Sequence, residues 1–330
     1  MFKILVTSKS FAKYEPELIS ELEKNNIQIV RPVKDNMTSK EIAEIIESYD
    51  GIVCGIDSID EEVIEAGKKL KIIHMHGTGT DHIDIDAATK RNIYVGSCPG
   101  MNATAVAELN LAILLAEARK IILHSNLIYD NKWERYVGVE LSNKTIGVIG
   151  LGYIGKRFVE LLKGFDMKVL AYEPCPDIEW VKEHNVEIIN DLETLFKESH
   201  FISLNLPLLE STQYIINEKA FKVMRKDAII INSSRGGLID TKELIKAIKN
   251  KQIKGAALDT FEIEPLEKDS KLLDLGITLT PHLGASTIDT VKKVSRQVAK
   301  NLQEVLVHNR VDIMINSGQI EKNKESEVVF

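Results

Sequence analysis

Short apolar runs of strand length alternate with segments of helical periodicity along nearly the whole chain. No other feature restricts the fold as much. Residues 2–7 precede a helical pattern at 15–25, 27–31 precede 39–48, 51–54 precede 61–69, and 71–75 precede 84–91. A second series starts at 145–149 and continues through 167–172, 201–204, 228–232, 255–258 and 277–280. Successive βαβ units cross over right-handedly and build parallel sheets with helices on both faces. Ser39 and Asp60 stand at N-cap positions, with acids in the turn that follows. Between the two series, a long apolar helix at 103–122 leads into a polar, Trp-containing arm at 126–138. A last helix at 285–308 is expected to return to the N-terminal domain, and the tail from Ser317 is polar without clear periodicity. The expectation is an α/β chain of two doubly wound parallel-sheet domains, residues 1–100 plus 287–330 and residues 101–286, with a cleft between them.

Composition narrows the partners. The 330 residues are 44% hydrophobic, enough for two cores at roughly 100–200 residues per domain. Forty-two Lys and Arg against 49 Asp and Glu leave a net charge of −7, which lacks the basic face that nucleic acid requires. The 103–122 stretch contains Glu108, Asn110, Glu117 and Arg119, so it reads as a buried helix and not a membrane span. Cys54, Cys98 and Cys175 have neither zinc-ligand nor disulfide spacing, and no signal-peptide apolar region follows Met1. A cytoplasmic location is expected.

Gly150-Leu-Gly152-Tyr153-Ile154-Gly155 follows the apolar run 146–149 and opens a helical pattern at 156–165. In that setting Gly150 permits a tight turn, Gly152 lets backbone approach a pyrophosphate, and Gly155 lets helix and strand pack closely. The helix N-terminus then offers unpaired N–H groups to the phosphates. Glu173 ends the next strand, where an acid accepts hydrogen bonds from ribose hydroxyls and repels a 2′-phosphate; no Lys or Arg follows it before Val181. The cofactor expected is NAD rather than NADP. Two other uses of the glycine motif stay open, a bare turn and a mononucleotide or methyltransferase site.

Three more strand ends carry polar residues. Arg235 follows the run 228–232 with Gly236-Gly237 behind it, Asp259 and Glu264-Pro265 follow 255–258, and Pro281-His282-Leu-Gly284 follows 277–280. In open α/β sheets ligands bind outside the carboxyl ends of the strands. An Arg fork holds a carboxylate bidentately, and a His with a carboxylate partner passes a proton to or from an alkoxide. His74 and His76 share a strand face near His82, but no carboxylate is spaced as a further ligand, so no metal is expected.

Taken together, these motifs resemble the D-isomer-specific 2-hydroxyacid dehydrogenase family, most closely its phosphoglycerate dehydrogenase-like branch. Gly150–Gly155, Ser233-Ser234-Arg235-Gly-Gly, Asp259 with Glu264-Pro265, and Thr280-Pro-His282-Leu-Gly284-Ala-Ser-Thr occur in order. The resemblance implies a flavodoxin-like substrate domain and a Rossmann NAD-binding domain. It implies hydride transfer between the nicotinamide and a small D-2-hydroxy or 2-oxo acid, with Arg235, Glu264 and His282 as the catalytic residues. Cofactor contacts are expected at Gly150, Gly152, Tyr153, Ile154, Gly155, Glu173, Pro207, Ser234, Asp259, His282 and Gly284, with Asp259 on the nicotinamide carboxamide. Substrate contacts are expected at His76, Thr78, Gly79, Asn102 and Arg235. A homodimer through the cofactor domain is implied, and no serine feedback through the C-terminal regulatory domain of longer relatives is expected. One departure bears on the substrate. Where phosphoglycerate dehydrogenases bring an Arg-Ser pair to the phosphate, this chain reads Cys54-Gly55-Ile56-Asp57, with Arg135 on the arm as a substitute cation. Phosphorylated and unphosphorylated acids therefore both stand, the latter through hydroxypyruvate or glyoxylate reduction. An NAD(H)-sensing corepressor-type binding protein is the alternative from another class.

Overall fold

The computed structural model describes residues 1–327, with side chains described through 324. In chain order its elements are β1 (Phe2–Val6), α1 (Glu17–Lys24), β2 (Ile27–Val30), α2 (Ser39–Ile46), β3 (Gly51–Cys54), α3 (Glu61–Ala66), β4 (Ile72–Met75), α4 (Ile85–Lys90) and β5 (Tyr94–Gly96). Then come α5 (Ala103–Ala118), α6 (Ile121–Tyr129), β6 (Thr145–Ile149), α7 (Tyr153–Leu162), β7 (Lys168–Tyr172), α8 (Ile178–Glu183), β8 (Val186–Ile188), α9 (Leu192–Glu198) and β9 (Phe201–Leu204). The chain ends with α10 (Glu218–Val223), β10 (Ile229–Asn232), α11 (Thr241–Lys249), β11 (Gly255–Leu258), β12 (Thr278–Leu279), α12 (Ile288–Leu306) and α13 (Ser317–Glu327).

Two compact units result. Unit 1 comprises Met1–Asn102 and Ala285–Phe330, and unit 2 comprises Ala103–Gly284. The sheet of unit 1 runs β2-β1-β3-β4-β5 and that of unit 2 runs β12-β11-β10-β9-β6-β7-β8, every pairing parallel. Helices cover both faces, which is why β3, β9, β10 and β11 are buried at every position rather than at alternate ones. In unit 1 one face packs Leu18 and Leu22 of α1 and Val294, Val298 and Leu302 of α12 over Ile4 and Val53. Ile42, Ile46, Val63 and Ile64 cover the other face. Strand order reverses between β1 and β3 in unit 1 and between β6 and β9 in unit 2. Such switch points open a crevice at the strand ends where ligands bind.

Local expectations needed four corrections. The apolar helix expected at 103–122 breaks in two, because Lys120 adopts a left-handed conformation (φ 52°) between α5 and α6. Lys120 Nζ there ion-pairs with the buried Glu117 and donates to Gly276 O at 3.3 Å; Glu117 Oε2 also accepts from Thr278 N and Oγ1 at 3.0 Å. The arm expected from 126 accordingly begins as the last turn of α6. The N-cap of α2 is Thr38 and not Ser39, since Thr38 Oγ1 accepts from Glu41 N while Glu41 reaches back to Thr38 N at 2.9 Å. The tail from Ser317 is helical through residue 327. It has no apolar stripe, but the fully buried Ile320 and the Asn316 side chain dock it; Asn316 Oδ1 accepts from Val95 N at 2.8 Å. Among the described residues no helix is long and apolar enough to cross a membrane.

Candidate active site

In unit 2 the predicted cofactor loop is the β6–α7 connection. Gly150 sits at φ +95°, and a Cβ on Gly155 would overlap the Gly150 carbonyl, so both glycines answer to the tight strand-to-helix turn. Gly152 is different. A Cβ there meets nothing within 4 Å, so no protein atom accounts for its missing side chain. It is also the N-cap of α7 and provides no side-chain cap, which leaves the first-turn N–H groups of Tyr153, Ile154 and Gly155 directed outward. That arrangement fits a pyrophosphate. Glu173, one residue beyond β7, lies beside the loop: its Oε2 accepts from Leu151 N at 2.9 Å and its Oε1 from Cys175 N at 3.1 Å. Each oxygen keeps a second lone pair for a ribose hydroxyl.

The tip of β10 is shaped by a residue that sequence reasoning passed over. Asn232, fully buried, accepts from Ser234 N at 3.0 Å and donates to Arg235 O at 2.8 Å, which closes the turn that carries Arg235. Ser233 Oγ reaches Asn110 on α5 at 2.5 Å, and Ser234 Oγ donates to Leu204 O at 2.9 Å. Arg235 Nη1 bonds Ser234 O at 2.8 Å. Gly236 follows because a Cβ there would overlap the Phe261 carbonyl, so its absence lets the Arg235 turn pack against the segment leading to Glu264. Pro207 lies on the segment after β9, its carbonyl held by Thr212 Oγ1 at 2.8 Å.

Glu264 and His282 meet. Nδ1 of His282 lies 2.7 Å from Glu264 Oε2, while Glu264 Oε1 accepts from Phe261 N at 3.0 Å. The carboxylate thus orients the ring and leaves Nε2 outward, and 48% of the His282 side chain is accessible. His282 itself has φ +52°, a left-handed conformation unusual for a non-glycine residue. The turn is held by Asp259, which is wholly buried. Asp259 Oδ1 accepts from Thr280 Oγ1 at 2.6 Å and Leu283 N at 2.7 Å, and Oδ2 from Gly284 N at 2.9 Å. Asp259 thus fixes the loop that presents His282, and its Oδ2, with one donor, keeps a second lone pair.

The remaining residues belong to unit 1. Thr78 and Gly79 lie beyond β4, with Thr78 Oγ1 3.4 Å from Cys98 O. Asn102 Oδ1 is buried and has no hydrogen-bond partner among the described residues, an unsatisfied acceptor that suits a ligand. His76 is 8% exposed and holds Ser10 Oγ through Nδ1 at 3.0 Å and Ser295 Oγ through Nε2 at 2.9 Å. His74 holds Met75 O and Asn301 Nδ2 at 2.9 and 2.8 Å. Both imidazoles anchor α12 to the end of β4. Their partners on α12, Ser295 and Asn301, lie more than two hundred residues away in sequence, so no local signal could have assigned them.

At the tip of β3, Asp57 turns inward. Its Oδ2 accepts from Thr7 Oγ1 at 2.7 Å and Gly55 N at 3.2 Å, leaving 8% of the residue exposed. Ile56 instead projects outward, 87% exposed. The one acid of this stretch is thus capped inside the turn, and the apolar Ile56 is the side chain presented to solvent.

Residues 111–284 match the family model described as D-isomer specific 2-hydroxyacid dehydrogenase, NAD binding domain. The chain belongs to this family. It is 40% identical over 271 residues to a glyoxylate reductase of Thermococcus litoralis, covering 79% of this chain and 82% of that one. It is 38% identical over 296 residues to a D-3-phosphoglycerate dehydrogenase of Methanocaldococcus jannaschii, covering 88% of this chain but only 56% of that relative, so it spans just over half of its length. Among solved structures, an NAD+-bound 3-phosphoglycerate dehydrogenase of Entamoeba histolytica superposes with a TM-score of 0.81 at 30% identity, covering 96% and 99% of the two chains. Unit 2 is accordingly the NAD-binding domain of a D-2-hydroxyacid dehydrogenase fold.

Proposed function

We propose that this chain reduces a small, unphosphorylated 2-oxo acid of the hydroxypyruvate or glyoxylate class to the D-2-hydroxy acid with NADH, and runs the reverse reaction with NAD. The Glu264–His282 pair at 2.7 Å carries the reading. Bound NADH supplies the hydride. Arg235 holds the substrate carboxylate through its guanidinium fork. With Nδ1 committed to Glu264, His282 delivers a proton from Nε2 to the carbonyl oxygen during reduction, and recovers it there during oxidation. Thr78, Gly79 and Asn102 are the substrate-side residues of unit 1, and within unit 2 Asp259 keeps the His282 turn in place.

The preference against a phosphate rests on the tip of β3. Gly55-Ile56-Asp57 presents no cation there, and the cations of the neighbouring strand ends have partners of their own. Arg31 Nη1 and Nη2 donate to Ser8 O at 3.0 Å and Phe11 O at 2.6 Å, and Lys9 pairs with Asp35 at 3.2 Å. Arg135 lies on the exposed segment after α6. A homodimer would cover the apolar side chains that α6 and this segment expose in unit 2, among them Ile121, Ile128, Tyr129, Trp133 and Val137.

The test is NADH oxidation with phosphohydroxypyruvate, hydroxypyruvate, glyoxylate and pyruvate. The reading expects kcat/KM for hydroxypyruvate or glyoxylate to exceed that for phosphohydroxypyruvate by ~10–100-fold, the worth of one absent charge-assisted contact. Preference for the phosphorylated acid would overturn the substrate assignment and point to Arg135. Absence of turnover with all four would favour the NAD(H)-sensing alternative.

A further inference from the structure

Unit 1 holds a recess of about 440 Å³ between one stripe of α12 and the loop that follows β5. Its size lies within the ~300–1,000 Å³ typical of small-molecule sites. Residues 297, 301 and 304 of α12 form its helical wall, spaced as one face of a helix. The floor is fixed, since the buried Asn301 accepts from Gln297 Nε2 at 2.8 Å and donates to His74 Nε2 at 2.8 Å.

Four charged side chains line the recess, and only two of them neutralise each other: Arg310 Nη1 lies 3.3 Å from Glu304 Oε2. Lys300 and Asp312, of opposite sign, make no ion pair among the described residues. Beside them lie Met101 and Ile313, which are 36% and 48% exposed. A monoanion that satisfied Lys300 would face an uncompensated Asp312, and a monocation would face Lys300 in the same way. A ligand that carries both charges and a short apolar group satisfies all four residues.

We propose that this recess binds a free α-amino acid, with its carboxylate on Lys300, its ammonium on Asp312 and an aliphatic side chain on Met101 and Ile313. Met101 directly precedes Asn102, the residue with the unsatisfied buried acceptor and the last of unit 1 before the chain crosses into α5.

Thermal unfolding of the whole protein tests binding independently of turnover. Glycine, L-alanine and L-leucine form the panel, with isovalerate and isoamylamine as leucine analogues lacking one charge each. At saturation at least one amino acid is expected to raise Tm by about 3 °C, with neither analogue doing so. Lys300→Glu and Asp312→Lys, both at exposed positions, should each abolish the shift, and the double charge swap should restore it. The proposal is overturned if no amino acid shifts Tm, if either analogue matches leucine, or if the shift survives both single reversals.

Discussion

The two buried histidines of unit 1 should make the protein sensitive to mild acid, and the size of the effect follows from their surroundings. Burial holds His74 and His76 down to about 4 from an ordinary 6.5; for His76 the neighbouring His74 and Arg31 add to the depression. Geometry agrees for His74. Asn301 Nδ2 donates to its Nε2, so a proton placed there would confront an N–H instead of a lone pair. In the unfolded chain both rings take up protons near pH 6.5, whereas in the folded chain they stay neutral until about pH 4. The unfolded state therefore binds more protons in that window, and stability falls as pH drops through it and is fully present above it. A depression of this size corresponds to ~3 kcal/mol per ring, a ceiling for the pair because the two interact. The assay is urea unfolding at several pH values between 7.5 and 4.5, followed by far-UV circular dichroism, since Trp133 and Trp180 both lie in unit 2. A His74→Gln/His76→Gln variant should lose stability at neutral pH but flatten the slope between pH 6.5 and 4.5 by up to ~2 protons. An unchanged slope would show that these rings do not stay neutral in the folded chain and are not the source of its acid sensitivity.

Three other outcomes follow from the site. His282→Ala should lower turnover by ~10²–10⁴ with NADH affinity intact by fluorescence titration; near-normal turnover would remove His282 from proton transfer. Glu173→Ala should weaken NAD binding ~10–100-fold, because it removes the ribose acceptor and frees Leu151 N and Cys175 N, and unchanged affinity would void its assignment. Ile56→Arg should raise kcat/KM for phosphohydroxypyruvate ~10-fold or more, and no gain would place the specificity determinant elsewhere.

The alternation of strand and helix was legible because parallel strands buried on both faces are continuous apolar runs such as Ile229–Asn232. The edge strands Tyr94–Gly96 and Val186–Ile188 were not, since three residues carry no period. The glycine loop could be read from spacing, and Glu264 and His282 could be placed at successive strand ends. The inward turn of Asp57 was hidden, because it depends on Thr7, which only the β1–β3 pairing brings near. The break at Lys120 was hidden for the same kind of reason: Gly276 and Thr278, which hold Lys120 and Glu117, arrive from the far end of unit 2. The grip of Asp259 on the 280–284 turn likewise spans two strands. Local pattern reports periodicity and turn chemistry; it does not report which distant polar group satisfies which.

Unit 1 is discontinuous, and that bears on how the chain is made. One face of its sheet is finished by Val294, Val298, Leu302, Val305 and Met314, all of which are synthesised after the whole of unit 2. Until α12 emerges from the ribosome, the first hundred residues have a five-stranded sheet with one apolar side covered only in part, by α1 and the segment before it, while unit 2 already has every element of its own core. Unit 2 can therefore fold during translation as a finished insert, and unit 1 closes last. A nascent chain paused before residue 285 presents the open sheet face that chaperones recognise and that aggregation exploits.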